Sequence, residues 1–170
     1  MTGTPVGGRV ATSDNPLRCA VLISGAGSGM QALVKAQQQD NLLHQTSVVI
    51  SNRSEAGGIQ LAHQLGVEVE LVLPPKSTEN TRVAHEQAIM EVLERHDIEF
   101  VVLSGYMRLL SPNFLSRWGG RIVNIHPSYL PHFPGAHAHR DVIASGAKLT
   151  GCTVHMVDEG MDTGAVLAQE

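Results

Sequence analysis

Apolar and polar residues fall along the chain in blocks that predict strand, helix, strand, helix. LRCAVLIS (Leu17 to Ser24) is a continuous apolar run that stops at a glycine-rich turn. That pattern suits a strand buried on both faces of a parallel sheet. MQALVKAQQQ after it is made of helix formers. TSVVISN reads as a second strand, GIQLAHQLG as a short helix closed by Gly66, and VEVELVL as a strand that stops at Pro74-Pro75. The longest helix is TRVAHEQAIMEVLERHDI, with Val83, Ile89, Val92 and Leu93 along one face and Thr81 placed to cap it. EFVVLSG and RIVNIHP are further strands, HRDVIASG a short helix ending at Gly146, and GCTVHMV another strand. The last apolar run, TGAVLAQE, would lie at a sheet edge with little to cover it.

Alternation of this kind means an α/β fold with a mostly parallel central sheet. Residues 1–16 are polar and are expected to form a flexible N-terminal tail, with one domain over 17–170. In such sheets ligands sit beyond the carboxyl ends of strands. That rule selects Gly25–Gly29, Ser104–Arg108 and the segment from Asn124 onward.

Composition narrows the partners. The chain is 42% hydrophobic and 16% charged, with a net charge of −4 and no basic run, so nucleic acid is not an expected partner. No apolar run approaches the roughly 18 residues that a membrane span needs, and the N-terminus has no apolar core of a secretory signal. Cys19 and Cys152 lie far apart in strand-like runs. They read as buried free thiols in a reducing cytoplasm rather than as a disulfide.

ISGAGSGMQAL places Gly25, Gly27 and Gly29 between a strand and a helix. Glycine allows positive φ and close approach of backbone N–H groups, and a helix start adds partial positive charge. Gly27, Ser28 and Gly29 are thus candidates for holding a phosphate. The spacing is not that of a dinucleotide site, and a plain tight turn is the competing reading.

VNIHPSYLPHFPGAHAH (Val123 to His139) holds four of the nine histidines and three of the eight prolines. Asn124 and His126 end a strand and, with a period of two, point to one side. An amide can donate to an oxygen that becomes negative, and an imidazole can supply or take a proton near neutral pH. This pair suits acyl transfer to an amine without a covalent intermediate. Pro127, Pro131 and Pro134 would stiffen the loop. The histidine spacing fits no zinc pattern and has no cysteine beside it, so no metal is expected. His132 is expected to be exposed, His137 and His139 to be bonded to loop carbonyls, and His155 to be a buried structural histidine. A catalytic histidine often has a carboxylate partner. VDEGMDTGA offers Asp158, Glu159 and Asp162, between which spacing alone does not choose.

These stretches, VLISGAGSGMQAL, VVLSGYMRLLSP, GRIVNIHPSYLPHFPGAHAHRDVIASG and GCTVHMVDEGMDTGAVLAQ, together resemble the phosphoribosylglycinamide formyltransferases, in the family's order and from about Cys19 onward. The resemblance implies a Rossmann-like formyltransferase fold. It also implies transfer of a formyl group from 10-formyltetrahydrofolate, as co-substrate, to the amine of glycinamide ribonucleotide in purine biosynthesis. Asn124, His126 and Asp162 match the family's catalytic residues. Gly27, Ser28 and Gly29 match its substrate-phosphate loop. Arg82, Met107, Arg108, Leu109 and Leu110, with Asn124 and Asp158, Glu159, Gly160, Met161 and Asp162, match its folate-binding positions. A cytoplasmic enzyme acting on small molecules follows, with no membrane partner, and a homodimer stays open. Two departures are visible. The family loop reads G-x-G-S-N where this chain has Gly29, and the family continues past the position of Glu170 with a strand, a helix and a substrate-holding acid. A 10-formyltetrahydrofolate hydrolase and a catalytically impaired folate- or nucleotide-binding fragment are the alternatives.

Overall fold

The computed structural model describes residues 9–76 and 81–170. Five parallel strands form the centre: β1 (Leu17–Ile23), β2 (His44–Ser51), β3 (Glu68–Leu71), β4 (Phe100–Ser104) and β5 (Ile122–His126). Two antiparallel strands, β6 (Thr153–Met156) and β7 (Val166–Gln169), extend the sheet beyond β5. The spatial order is β3-β2-β1-β4-β5-β6-β7. The chain moves outward from β1 to β3, then returns to lay β4 on the other side of β1. This reversal opens a crevice at the carboxyl ends of β1 and β4, where α/β sheets take their ligands.

The apolar runs of the central strands are buried because helices cover both faces. Ala20, Leu22, Val48, Ile50, Val101, Leu103 and Ile122 point to one side. There they meet Ile89, Met90, Val92 and Leu93 of α3 (Thr81–Arg95) and Phe114, Leu115 and Trp118 of α4 (Pro112–Trp118). Val21, Ile23, Val49, Val102 and Val123 point to the other. They pack on Met30 and Val34 of α1 (Ser28–Gln39) and Ala62 of α2 (Gly57–Gln64). Full burial of one such side chain contributes about 1.5–3 kcal/mol, so these two layers fix the strand register. A last helix, α5 (Ala138–Ser145), ends at Gly146 with φ 68°.

The sequence pattern does not foresee everything. Val83 is exposed, and α3 instead buries His85 and Glu86 beside its apolar residues. The strand expected from VEVELVL is shorter, Glu68–Leu71. Helix α4 has no counterpart among the expected elements. Its signal was local: Ser111 caps it by accepting from Phe114 N at 3.2 Å, and Pro112 occupies the first turn. Cys152 is exposed and precedes β6, so only Cys19 is a buried thiol, and both are free. Burial raises the Cys19 thiol to about 11.

Of the segment expected as a flexible tail, residues 1–8 lie outside the described residues. Residues 9–16 fold back on the domain. Arg9 Nε and Nη2 donate to the two carboxylate oxygens of Glu99 at 2.7 and 2.8 Å, and Nη1 and Nη2 also donate to the carbonyls of Asn15 and Pro16. Arg9, seconded by the Arg18 backbone N–H, holds the Glu99 carboxyl well below its ordinary 4.5, at about 2. A depressed carboxylate stabilises the fold above its unfolded value and ceases to do so as pH falls through the folded one. Arg9→Ala should therefore destabilise the chain at neutral pH, with the gap to wild type closing as pH falls from about 4.5 toward 2. Urea unfolding across that range checks it, and a gap that does not change with pH would contradict it.

Candidate active site

The residues of interest meet at the carboxyl ends of β1, β4 and β5, around a cleft of about 760 Å³. Three connections and one strand end supply them. After β1, the turn carries Gly27 at φ 76° into the start of α1. No side chain caps that helix, and Ser28 and Gly29 line the cleft with its first turn. Gly27 itself is buried beneath the turn, where an added Cβ would lie 2.6 Å from Gly58 Cα. At Gly29 an added Cβ would lie 2.6 Å from Ser104 Oγ.

After β4, the backbone turns at Gly105 (φ 64°) and presents Tyr106, Met107, Arg108, Leu109 and Leu110 to the cleft. This loop is pinned at both ends. Met107 N donates to Ser24 Oγ at 2.9 Å. At its far end Ser111 N donates to Glu86 Oε1 at 2.7 Å, and Ser111 Oγ donates to Glu86 Oε2. Glu86 is thus a buried carboxylate that two donors of one residue satisfy, with Arg82 Nε 3.5 Å away. Burial pushes the Tyr106 hydroxyl upward from its ordinary 10.

The end of β5 holds the polar pair. Asn124 and His126 share a face, as strand periodicity requires. The third member arrives from the connection between β6 and β7, where Asp162 adopts φ 56°. Its Oδ1 lies 3.4 Å from Asn124 Nδ2 and its Oδ2 3.5 Å from His126 Nδ1. Gly135 N donates to the same Oδ2 at 2.7 Å, and His155 Nε2 stands 3.5 Å from Oδ1. The Asp162 side chain is only 11% exposed. The Gly135 N–H and the Asn124 amide thus donate to one largely buried carboxylate, with the His126 and His155 rings beside it.

His126 is fixed from its other side as well. Its Nε2 lies 2.8 Å from the Phe133 carbonyl oxygen. A carbonyl oxygen only accepts, so Nε2 carries the proton that faces Phe133, while Nδ1 stands 3.5 Å from the Asp162 carboxylate. The Phe133 carbonyl takes this position because Phe133 stands at φ 54°, a conformation that bulky residues rarely adopt. The loop is tied down by polar side chains as much as by its prolines. Ser128 Oγ donates to the His132 and Phe133 carbonyls, Thr153 Oγ1 donates to the Ser128 carbonyl, and Gln169 Nε2 donates to the Leu130 carbonyl.

The structure brings Ser28, Gly29, Met107, Arg108, Leu109, Leu110, Asn124, His126, Asp158, Glu159, Gly160, Met161 and Asp162 to one cleft. It does not bring Arg82 or Gly27 to its wall. Arg82 lies outside because its guanidinium follows Glu86 on the same helix, one turn away. His132 is exposed, as expected. His137 and His139 are also exposed and line the cleft, rather than lying against loop carbonyls. His155 is buried at 3%, but it stands beside Asn124 and Asp162 and not apart from them. No spacing in the sequence shows this. It follows from the antiparallel register in which Asn124 pairs with His155.

Comparison with known proteins agrees with the geometry. A family model described as formyl transferase matches residues 17–170. The phosphoribosylglycinamide formyltransferase of Bacillus subtilis is 42% identical over 151 residues, which cover 89% of this chain and 76% of that protein. The human trifunctional purine biosynthetic protein adenosine-3 is 43% identical over 153 residues, covering 90% of this chain. This chain spans only 15% of the length of that much longer relative. The crystal structure of glycinamide ribonucleotide transformylase 1 from Symbiobacterium toebii superposes with a TM-score of 0.84 at 38% identity, covering 91% of this chain and 72% of that one. A Rossmann-like sheet, an uncapped glycine turn, and an amide and an imidazole gathered on one carboxylate thus accompany a family match over nearly the whole domain, and the chain belongs to the formyl transferase family.

Proposed function

We propose that the chain is a phosphoribosylglycinamide formyltransferase, which moves a formyl group from 10-formyltetrahydrofolate to the amine of glycinamide ribonucleotide in purine biosynthesis. The observation that carries this reading is the Asp162 carboxylate held against Asn124 and His126 in the same cleft as an uncapped, glycine-started helix. The first set suits chemistry at a carbonyl. The second suits a phosphate.

In the proposed reaction the neutral amine attacks the formyl carbon, and the formyl oxygen gains negative charge. Asn124 Nδ2 and the doubly protonated His126 stabilise that oxygen. The 3.4 and 3.5 Å distances to Asp162 are longer than a strong hydrogen bond, so both groups can turn to a closer acceptor without losing a good one. Asp162 is the counter-charge of the imidazolium. Through a water it passes the proton lost by the attacking amine to N10 of the folate, and the bond from N10 to the formyl carbon then breaks. The loop Met107–Leu110 and the segment Asp158–Met161 form the wall offered to the folate. The first turn of α1 at Ser28 and Gly29 takes the ribonucleotide phosphate. Arg82 is not given a folate contact, because it turns toward Glu86. The reaction needs no metal and is placed in the cytoplasm.

The test follows loss of 10-formyl folate by absorbance, with and without glycinamide ribonucleotide. Loss that requires the ribonucleotide is expected. Loss without it would instead mark a hydrolase. His126→Ala should lower turnover on the order of 10²–10⁴-fold, the usual contribution of a proton-handling group, while His132→Ala on the exposed loop should change it little. Near-normal turnover of the His126 variant would remove it from the mechanism. Gly27→Ala forces a Cβ into Gly58 at a positive φ, so it should distort the helix start. It is expected to raise KM for the ribonucleotide roughly tenfold, or about 1.4 kcal/mol, and to leave KM for the folate nearly unchanged. A matching rise in both constants would speak against the phosphate role.

A further inference from the structure

His155 is a buried titratable group that the reaction above does not use, and it touches two of the groups that the reaction does. It lies on β6 directly across from Asn124 of β5 and is 3% exposed. Its Nδ1 is 2.9 Å from the Met156 carbonyl oxygen, which can only accept, so Nδ1 carries a proton. A neutral ring then presents a bare Nε2 on its other side. That nitrogen is 3.2 Å from Asn124 Nδ2 and 3.5 Å from Asp162 Oδ1.

A primary amide can turn end for end with little change of shape, exchanging two donors for an acceptor. At Asn124 the surroundings forbid this. Turned over, its oxygen would face the lone pair of His155 Nε2 and the carboxylate of Asp162. We infer that His155, as the neutral Nδ1–H tautomer, is a positioning residue that fixes the Asn124 amide with its NH₂ directed at the formyl oxygen. This rests on the formyl-transfer reading given above. The titratable groups facing the ring are Asp162, from the β6–β7 connection, and through it His126 of β5. The two histidines around Asp162 are held by opposite nitrogens: the Phe133 carbonyl faces Nε2 of His126, whereas the Met156 carbonyl faces Nδ1 of His155. A proton on His155 Nε2 would be drawn to Asp162 and would leave the Asn124 NH₂ without its acceptor.

Two measurements test this on the intact chain. The first is the ¹⁵N spectrum of histidine-labelled protein, with His155 assigned by comparison with His155→Gln. Protonated Nδ1 and bare Nε2 are expected at neutral pH. A proton on Nε2, in either the other tautomer or the charged ring, would overturn the inference, and no turnover is needed to see it. The second is ribonucleotide-dependent loss of 10-formyl folate. His155→Leu removes the acceptor and should lower kcat roughly 10²-fold, the scale of losing one oxyanion donor, with KM for both substrates little changed. His155→Gln places an amide oxygen near the position of Nε2 and should recover most of that loss. Equal losses in both variants, with KM rising, would show a merely structural residue and overturn the inference. Active wild type with an unaffected Leu variant would overturn the inference alone. Inactive wild type would overturn the formyl-transfer reading instead.

Discussion

The site depends on one carboxylate. Asp162 receives the Gly135 N–H at 2.7 Å and stands within 3.5 Å of Asn124, His126 and His155. These groups come from β5, β6 and the loop after β5, which no single packing layer holds together. A largely buried negative charge needs donors around it, and the donors in turn need an acceptor. Satisfying that requirement joins the antiparallel end of the sheet to its parallel centre. It also leaves the strong bond with the backbone and the loose ones with the side chains. The side chains are the groups that the proposed reaction asks to turn toward substrate.

The parallel centre has a different task. Its two apolar layers fix where β1, β4 and β5 end, and so where the Gly25–Gly29 turn and the Gly105–Leu110 loop emerge. The second loop is then tied by Ser24 and by buried Glu86, so its position does not rest on its own sequence. A cleft wall supported in this way holds its position without being part of the core. The empty position at Gly29 fits the same account. Ser104 Oγ of β4 already occupies the space toward which a side chain there would grow.

Much of this was legible in the residues. Strands of continuous apolar character bounded by glycine turns gave β1, β2, β4 and β5, because burial on both faces leaves no polar alternation to confuse the pattern. Asn124 and His126 could be paired from strand period alone. Asp162 could not be separated from Asp158 and Glu159 by spacing. Its place depends on a left-handed backbone in a loop and on the fold of a strand pair distant in sequence. His155 was read as structural for a similar reason: only the register of β5 against β6 sets it beside Asn124. Val83 misled because helical periodicity on α3 does not foresee that His85 and Glu86 take inward positions while Val83 stays exposed. Cys152 looked buried as part of an apolar run, but it falls just before β6 begins and stays exposed.

The central claim is that Asp162 and His126 act as one unit and not as two separate contributors. A double-variant cycle in kcat/KM for ribonucleotide-dependent formyl loss, using His126→Ala, Asp162→Asn and the combination, tests it most directly. If Asp162 acts through His126, the double variant should be about as slow as the slower single variant. Losses that multiply would show that the carboxylate and the imidazole contribute independently and would contradict the account.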